Sequence, residues 1–436
     1  MEYVPVASNL VKNHQKVRSV YFLTLLFISV NVIANEPGKR KKVKIDFTGF
    51  LKYNAMFDTR QTVNAREGNF MLYPEAPLYD DNNNDVNAVS NFNMATINSM
   101  LKFKMTGPEV FKARSGAYLE LDFWGSESRK YVDLNHFRLR HAYATLKWNK
   151  TEILLGQYWH PMSAAGFFPK VISANSGVPF HPISRNPQIR VQHDNGLLRI
   201  IGCVFTQRDF TSTGPDGADS KYLRNSGIPN LHLQVQMGNE PSLLSGGAGI
   251  DYKTIVPELY ITTTDGIVKT GKRSSLSSFS YVGFLKIKTK YFTSTTQGVY
   301  AANAYDIILL GGYAEKEVID QESGEKEFSN IHTLSFWSDL QTTGKRLQFG
   351  LFCGYTRNMG AGEYIKGSIY ARGADIHNLF RLSSRIIYHR YPFEISLEGE
   401  HTTAFYGTEN GDMKGGVTDT QAIKNFRTLL AVKYIF

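Results

Sequence analysis

The residues of this chain best able to act on a solute are cations at strand spacing. Lys286, Lys288 and Lys290 recur at every second position with no acid alternating among them. In an extended segment that period puts all three ammonium groups on one face. A second set lies between Glu152 and Asp194, a stretch without Asp or Glu that holds Lys170, Arg185 and Arg190. Within it, residues 160–185 carry Gly166, Phe167, Phe168, Pro169, Pro179, Phe180 and Pro182. An apolar, proline-stiffened connection is poorly suited to hang in water, so it is expected to fold back into the body that bears it; packing over a rim or against a neighbouring subunit is the other reading. The chemistry on offer is anion attraction, and guanidinium groups hold planar carboxylates through paired hydrogen bonds. Taken singly, each of these charges also reads as solvated wall.

Groups that make or break bonds are sparse. A hydrolase needs a nucleophile beside a histidine, and Ser335 and Ser338 near His332 are the candidates; one alternating strand sets His332 and Ser335 on opposite faces. His160, His181 and His193 are too scattered for a metal site and read as ordinary hydrogen-bonding groups. The run Asp80-Asp81-Asn82-Asn83-Asn84-Asp85 lacks the glycine and closing glutamate of an EF-hand and reads as a solvated loop. Cys203 and Cys353 fall in separate strands and suit neither a disulfide nor a metal. The expectation is therefore no enzyme, no metal and no cofactor.

The elements that must position these charges are strands. From Gln421 to the end, Phe426, Thr428, Leu430, Val432, Tyr434 and Phe436 share one face while Asn425, Arg427, Leu429, Ala431, Lys433 and Ile435 share the other. An amphipathic strand ending on a terminal Phe is what closes a bacterial outer-membrane barrel and marks it for the barrel-assembly machinery. At the opposite end, Lys12, Lys16 and Arg18 precede an apolar run from Val20 to Ile33, with a small-residue cleavage site after Ala34. This is the pattern of a signal peptide, and the run is short for a membrane anchor. Residues 35–44 form a short basic extension with five cations against Glu36, and residues 45–436 are read as the barrel. A net charge of +10 on a secreted chain of this kind argues against nucleic acid as a partner, and 24 Tyr with 28 Phe suit aromatic girdles at two membrane interfaces.

About sixteen strand candidates follow from Val43 onward, joined by connections that alternate between tight turns such as Asn149-Lys150 and long loops such as 59–92 and 160–185. That alternation predicts an all-β, closed antiparallel transmembrane barrel with both termini periplasmic. The eleventh strand is expected over 304–316, behind a connection 294–303 that is long for a periplasmic turn; counts of 14 and 18 therefore stay open. A polar lumen face would direct Lys102, Lys104, Arg190, Arg199, Lys286, Lys288, Lys290, Arg381 and Arg385 inward, opposed by Glu120, Asp122, Glu394, Glu398 and Glu400.

Three segments carry a resemblance. Phe137-Arg138-Leu139-Arg140-His141-Ala142-Tyr143, then Gly156-Gln157-Tyr158-Trp159, then Pro187-Gln188-Ile189-Arg190 resemble the core of the DcaP-like trimeric porins, as does the preceding strand from Tyr118 to Gly125. The match is dense over 115–195. It implies a sixteen-stranded trimeric barrel whose third loop folds inward, and a positively charged constriction passing small organic anions such as dicarboxylates. Arg138, Arg140 and Arg190 are the positions it carries over as pore-facing. Unlike family members with a coiled coil before the barrel, this chain has only the stretch 35–44. The expected partners are like copies, outer-membrane lipid and lipopolysaccharide, and small anionic solutes. A surface receptor or adhesin using loop 59–92, and an outer-membrane hydrolase, are the competing classes.

Overall fold

A computed structural model describes residues 43–125, 136–238, 242–262, 268–269, 274–320 and 325–436. The expected signal peptide and all of the basic extension up to Lys42 lie outside the described residues. Sixteen strands close on themselves: β1 (Lys44–Asp58), β2 (Asn91–Ala95 and Met100–Val110), β3 (Ala113–Phe123), β4 (Phe137–Lys147), β5 (Thr151–Trp159), β6 (Arg185–Asp194), β7 (Leu198–Phe205) and β8 (Asn230–Met237). They continue through β9 (Leu244–Ile255), β10 (Leu276–Lys288), β11 (Phe292–Ala302), β12 (His332–Thr342), β13 (Leu347–Gly360), β14 (Ile376–Arg390), β15 (Phe393–Thr408) and β16 (Thr418–Ile435). Each pairs antiparallel with its sequence neighbours, and β1 zips to β16 from Phe50↔Ile435 to Asp58↔Arg427. Closure removes every free edge, which a strand in lipid requires because no water is there to satisfy it.

The alternation of side chains sorts the two surfaces as the sequence predicts. On β16, Phe426 is 44% exposed and Leu430 40%, while their neighbours Arg427 and Leu429 are buried at 1% and 2%. Leu334, Phe336 and Leu340 on β12, and Ile395 and Leu397 on β15, extend the outer apolar belt. Among the described residues no helix is long and apolar enough to cross a membrane; this protein crosses with strands.

The eleventh strand differs from expectation. It is Phe292–Ala302, reached from β10 by the short turn 289–291, and the segment placed at 304–316 instead forms a 3-10 turn at Tyr305–Ile307 and enters a strand at Gly311–Asp320. That strand pairs with Glu325–Asn330 and Ile369–Arg372 in a small sheet built from the long loops. The lumen side of β11 is Thr295, Gln297 and small residues, so it lacks the apolar-against-charged contrast that marks other strands, although threonine fits a pleated surface well. With β11 corrected the count is sixteen.

The lumen is not hollow. Loop 1 (59–90) sends in a hairpin, Thr62–Ala65 against Phe70–Pro74, and loop 3 (160–184) folds in beside it. Phe70, Leu72 and Tyr73 pack with Val178, Phe180 and Ile183 from loop 3 and with Trp337, Phe352 and Leu379 from the wall. Burying such side chains is worth roughly 1.5–3 kcal/mol apiece, enough to hold both loops in place. The lumen side of β12–β16 thus combines this apolar cluster with buried ion pairs such as Arg381–Glu400 and Arg385–Asp339, and the cavities described below lie along β16 and β1 to β8.

Candidate pore constriction

The charged wall begins with an irregularity in β4. Glu120 on β3 stands opposite His141, yet the next residue, Leu121, stands opposite Leu139, so Arg140 is an extra residue in the ladder. A bulge of this kind lets consecutive side chains face one way. Arg138, Arg140 and His141 accordingly all reach the lumen face. Gln157 steadies the bulge from β5, its amide donating to the carbonyls of Leu139 (2.9 Å) and Arg140 (3.0 Å). Gly156 beside it has φ +134°, and a Cβ there would meet the Ala142 carbonyl at 2.2 Å, so the close β4–β5 approach requires glycine.

Arg138 grips Asp122 through two hydrogen bonds of 2.7 Å. Arg140 donates to Glu120 at 2.7 Å and to Asp122 at 3.1 Å. Arg66, carried in by the loop 1 hairpin, lies 3.3 Å from Asp122 on its other side. Arg185, at the start of β6, pairs with Asp209 at 2.6 Å, and its guanidinium sits 4.2 Å from the Trp159 ring centre. Trp124 takes Arg138 in the same way at 4.8 Å. Four guanidinium groups against Glu120, Asp122 and Asp209 leave one net positive charge in the network. Burial, and next the positive charge of Arg138, push the Arg66 guanidinium down to about 9, so it stays charged at neutral pH.

Loop 3 forms the facing side. Its Ile172 carbonyl accepts from Lys52 Nζ at 2.8 Å, while the Ile172 and Ser173 amides donate to Glu398 at 2.8 and 3.0 Å. The Val178 carbonyl accepts from Arg381 (2.7 Å) and the Phe180 carbonyl from Ser335 (2.9 Å). A cavity of about 200 Å³ remains between loop and wall. Lys52, Lys433, Arg66, Arg138, Arg140 and Arg185 line it, with Asp122 its only carboxylate lining among the described residues.

Of the residues singled out from sequence, Arg138, Arg140 and Arg185 meet in this cavity. Lys170 is exposed on loop 3, on the side of Asp339. Arg190 lies deeper, toward the short turns, lining a separate cavity of about 690 Å³. The lysine row is divided: Lys286 donates to the Gly166 carbonyl and covers the Phe167 ring, Lys288 is exposed at the end of β10, and Lys290 lies in the turn against the Tyr291 ring. Phe436 exchanges backbone hydrogen bonds with Gly49, closing the barrel at its turn rim. Arg381 pairs with Glu400, but Arg385 is met by Asp339 rather than by the β15 acids. His332 stacks on Tyr300 and Ser335 bonds to loop 3 inside, on opposite faces as alternation requires.

Lys52 and Lys433 were legible as lumen-facing from strand parity, though nothing marked them as lining a constriction. Arg66 and Asp209 come from loops, and no periodicity signals where a loop residue points. They add a cation and a carboxylate to a ring that strand parity alone makes more purely basic.

A closed sixteen-stranded barrel with an apolar belt, an inward third loop and a charged passage beside it is the fold of outer-membrane porins. No protein-family model and no curated protein matches the sequence, but solved structures match the fold. One is the outer membrane channel DcaP of Acinetobacter baumannii, 17% identical, with 92% of this chain and 99% of that chain covered at a TM-score of 0.66. Another is OmpT, an outer membrane protein of Vibrio cholerae, 8% identical over 92% of this chain and 100% of that one at a TM-score of 0.53. OmpT is also known in a trimer form, which matches at 9% identity and the same TM-score over 90% of this chain and 99% of that one.

Proposed function

We propose that the protein is a porin of the outer membrane, secreted by way of a leader over residues 1–34, that lets small hydrophilic solutes diffuse passively and prefers organic anions such as dicarboxylates. The observation that carries the reading is the cation lining of the constriction, where six basic side chains surround a passage bordered, among the described residues, by the single carboxylate Asp122. In a narrow, low-dielectric lumen such a ring attracts anions and repels cations. Asp122, Glu120 and the two tryptophans hold Arg138 and Arg140 at fixed angles, leaving Arg138 Nη1 and Arg140 Nη2, which donate to neither acid, to meet a carboxylate. A channel rather than an enzyme is the reading that these positioned charges support, and a homotrimer is the assembly that the trimer form of the OmpT neighbour suggests.

The test is a planar-bilayer recording under a salt gradient, paired with succinate uptake into liposomes. Anion preference is expected for the wild type. Replacing Arg138 and Arg140 with Ala should move the reversal potential toward cation preference and slow uptake. A cation-selective wild-type channel, or readings unmoved by the double replacement, would sink the proposal.

A further inference from the structure

Below the constriction the wall carries a second group of cations that its carboxylates do not neutralise. The cavity of about 690 Å³ on the turn side is lined by Lys104, Arg114, Lys147, Arg190 and Arg199, with Glu152 as its one acid among the described residues. Lys147 pairs with Glu152 at 3.4 Å and Arg199 with Asp194 at 2.8 Å. Among the described residues no carboxylate lies within ion-pair distance of Lys104, Arg114 or Arg190. Arg190 is the telling one: it is only 7% exposed, yet its guanidinium is held by the Tyr158 ring at 5.6 Å rather than by an acid. A buried charge without a counter-charge costs stability unless something else meets it.

Tyrosines and His141 separate this cavity from the one above. Tyr118 donates to Glu120 at 2.9 Å, and the rings of Tyr158 and His141 lie 5.5 Å apart. Arg190 is level with Leu154, and Leu154 with Thr145 on β4. Four regular strand steps from His141 place it roughly 13 Å below the bulge. The two cation groups are therefore separate stations along one wall.

We propose that Lys104, Arg114 and Arg190 form a second anion-binding station that retains small organic or inorganic oxyanions carrying two or more negative charges, whether carboxylate or phosphate, on the turn side of the constriction. The inference rests on the porin reading and deepens it. Three uncompensated cations converging on one space reward multivalent anions over monovalent ones, since each added charge meets its own partner. Tyrosine hydroxyls and the amides of Gln192 and Gln236 can take up the remaining oxygens.

The experiment is block of single-channel current by citrate, pyrophosphate or acetate applied to the turn side of full-length protein in a planar bilayer. Citrate and pyrophosphate are expected to block at concentrations at which acetate does not, separating charge number from carboxylate or phosphate identity. The variant Lys104→Gln/Arg114→Gln/Arg190→Gln should weaken that block about tenfold or more, the loss expected for charge-assisted contacts. The exposed pair Lys104→Gln/Arg114→Gln should weaken it partly and guards against misfolding of the triple variant. Block by citrate that is undiminished in both variants, or acetate blocking as well as citrate, would overturn the proposal. A cation-selective wild-type channel in the absence of added blocker would instead count against the anion preference on which the inference rests, and absence of any channel against the porin reading itself.

Discussion

His181 shows how a single side chain of loop 3 is committed to one protonation state. Its Nδ1 lies 2.7 Å from Gln297 Oε1, an oxygen that also accepts from Trp337 Nε1 at 2.9 Å. Gln297 donates its own amide to the Met162 carbonyl, so the imidazole must be the donor and its proton sits on Nδ1. Nε2 has no hydrogen-bond partner among the described residues, and the ring packs edge-on with Phe168 and Trp337. Burial pushes this histidine down to about 4 from its ordinary 6.5. Because the folded value lies below the unfolded one, the docked loop is fully favoured above pH 6.5 and loses stability as pH falls from 6.5 toward 4, by about 3 kcal/mol at the acid end. Conductance should therefore change between pH 6 and pH 4 as loop 3 loosens, and His181→Asn, which keeps a donor at the Nδ1 position without titrating, should flatten that change. An unaltered transition in the variant would assign it to another group. The strand alternation in the sequence made the wall residues legible at this scale, but His181 lies in a loop, and its partner Gln297 is on a strand that the pattern misplaced.

Elements divide according to whether a period governs them. Fifteen of the sixteen strands were readable from alternation and turn residues, and the remaining one was missed because β11 has a neutral lumen face while 311–316 does form a strand, but one of the small loop sheet rather than of the barrel. The break in β2 at residues 96–99 and the bulge at Arg140 were not readable, since each changes the register by a residue without altering composition. Loop 3 was recognisable by its prolines and phenylalanines, whereas the loop 1 hairpin, preceding the polar run at 80–85, gave no hint that residues 62–74 enter the lumen. What holds loop 3 is a small number of strong contacts, and Glu398 is central among them because it accepts two adjacent amides. Glu398→Ala would leave both N–H groups without their acceptor, at about 1–3 kcal/mol each where they stay buried. The expected outcome is a barrel with normal heat-modifiable gel mobility but a larger, noisier single-channel current. A current identical to wild type would mean that the apolar cluster alone fixes the loop.

At the scale of the whole molecule, closure depends on a seam between the first and last strands. Nine registered pairs join β1 to β16, and Phe436 ends the seam against Gly49, where its ring also meets Phe47 at 5.5 Å. Reading the terminal Phe as the mark that the assembly machinery takes up predicts that deleting Phe436 leaves unassembled protein in the periplasm, with little protease-resistant, heat-modifiable barrel in the outer membrane. Wild-type amounts of folded barrel after the deletion would show that the aromatic terminus only packs. The fold class was legible here because one segment combined a two-residue period with a defined end, and alternating connection lengths elsewhere agreed with it.

The extra residue in β4 has a hereditary consequence. Leu139 and His141 already stand opposite successive residues of β3, so removing Arg140 would join them into a regular ladder in which every remaining side chain keeps its face. One in-frame codon loss would thus subtract a guanidinium from the constriction while leaving barrel closure, strand number and turn lengths untouched. Most single-residue deletions inside a strand flip all that follows to the wrong surface. This position is exempt, which makes the charge of the passage adjustable in a single mutational step; the prediction is that the Arg140 deletion assembles normally and conducts with weakened anion preference.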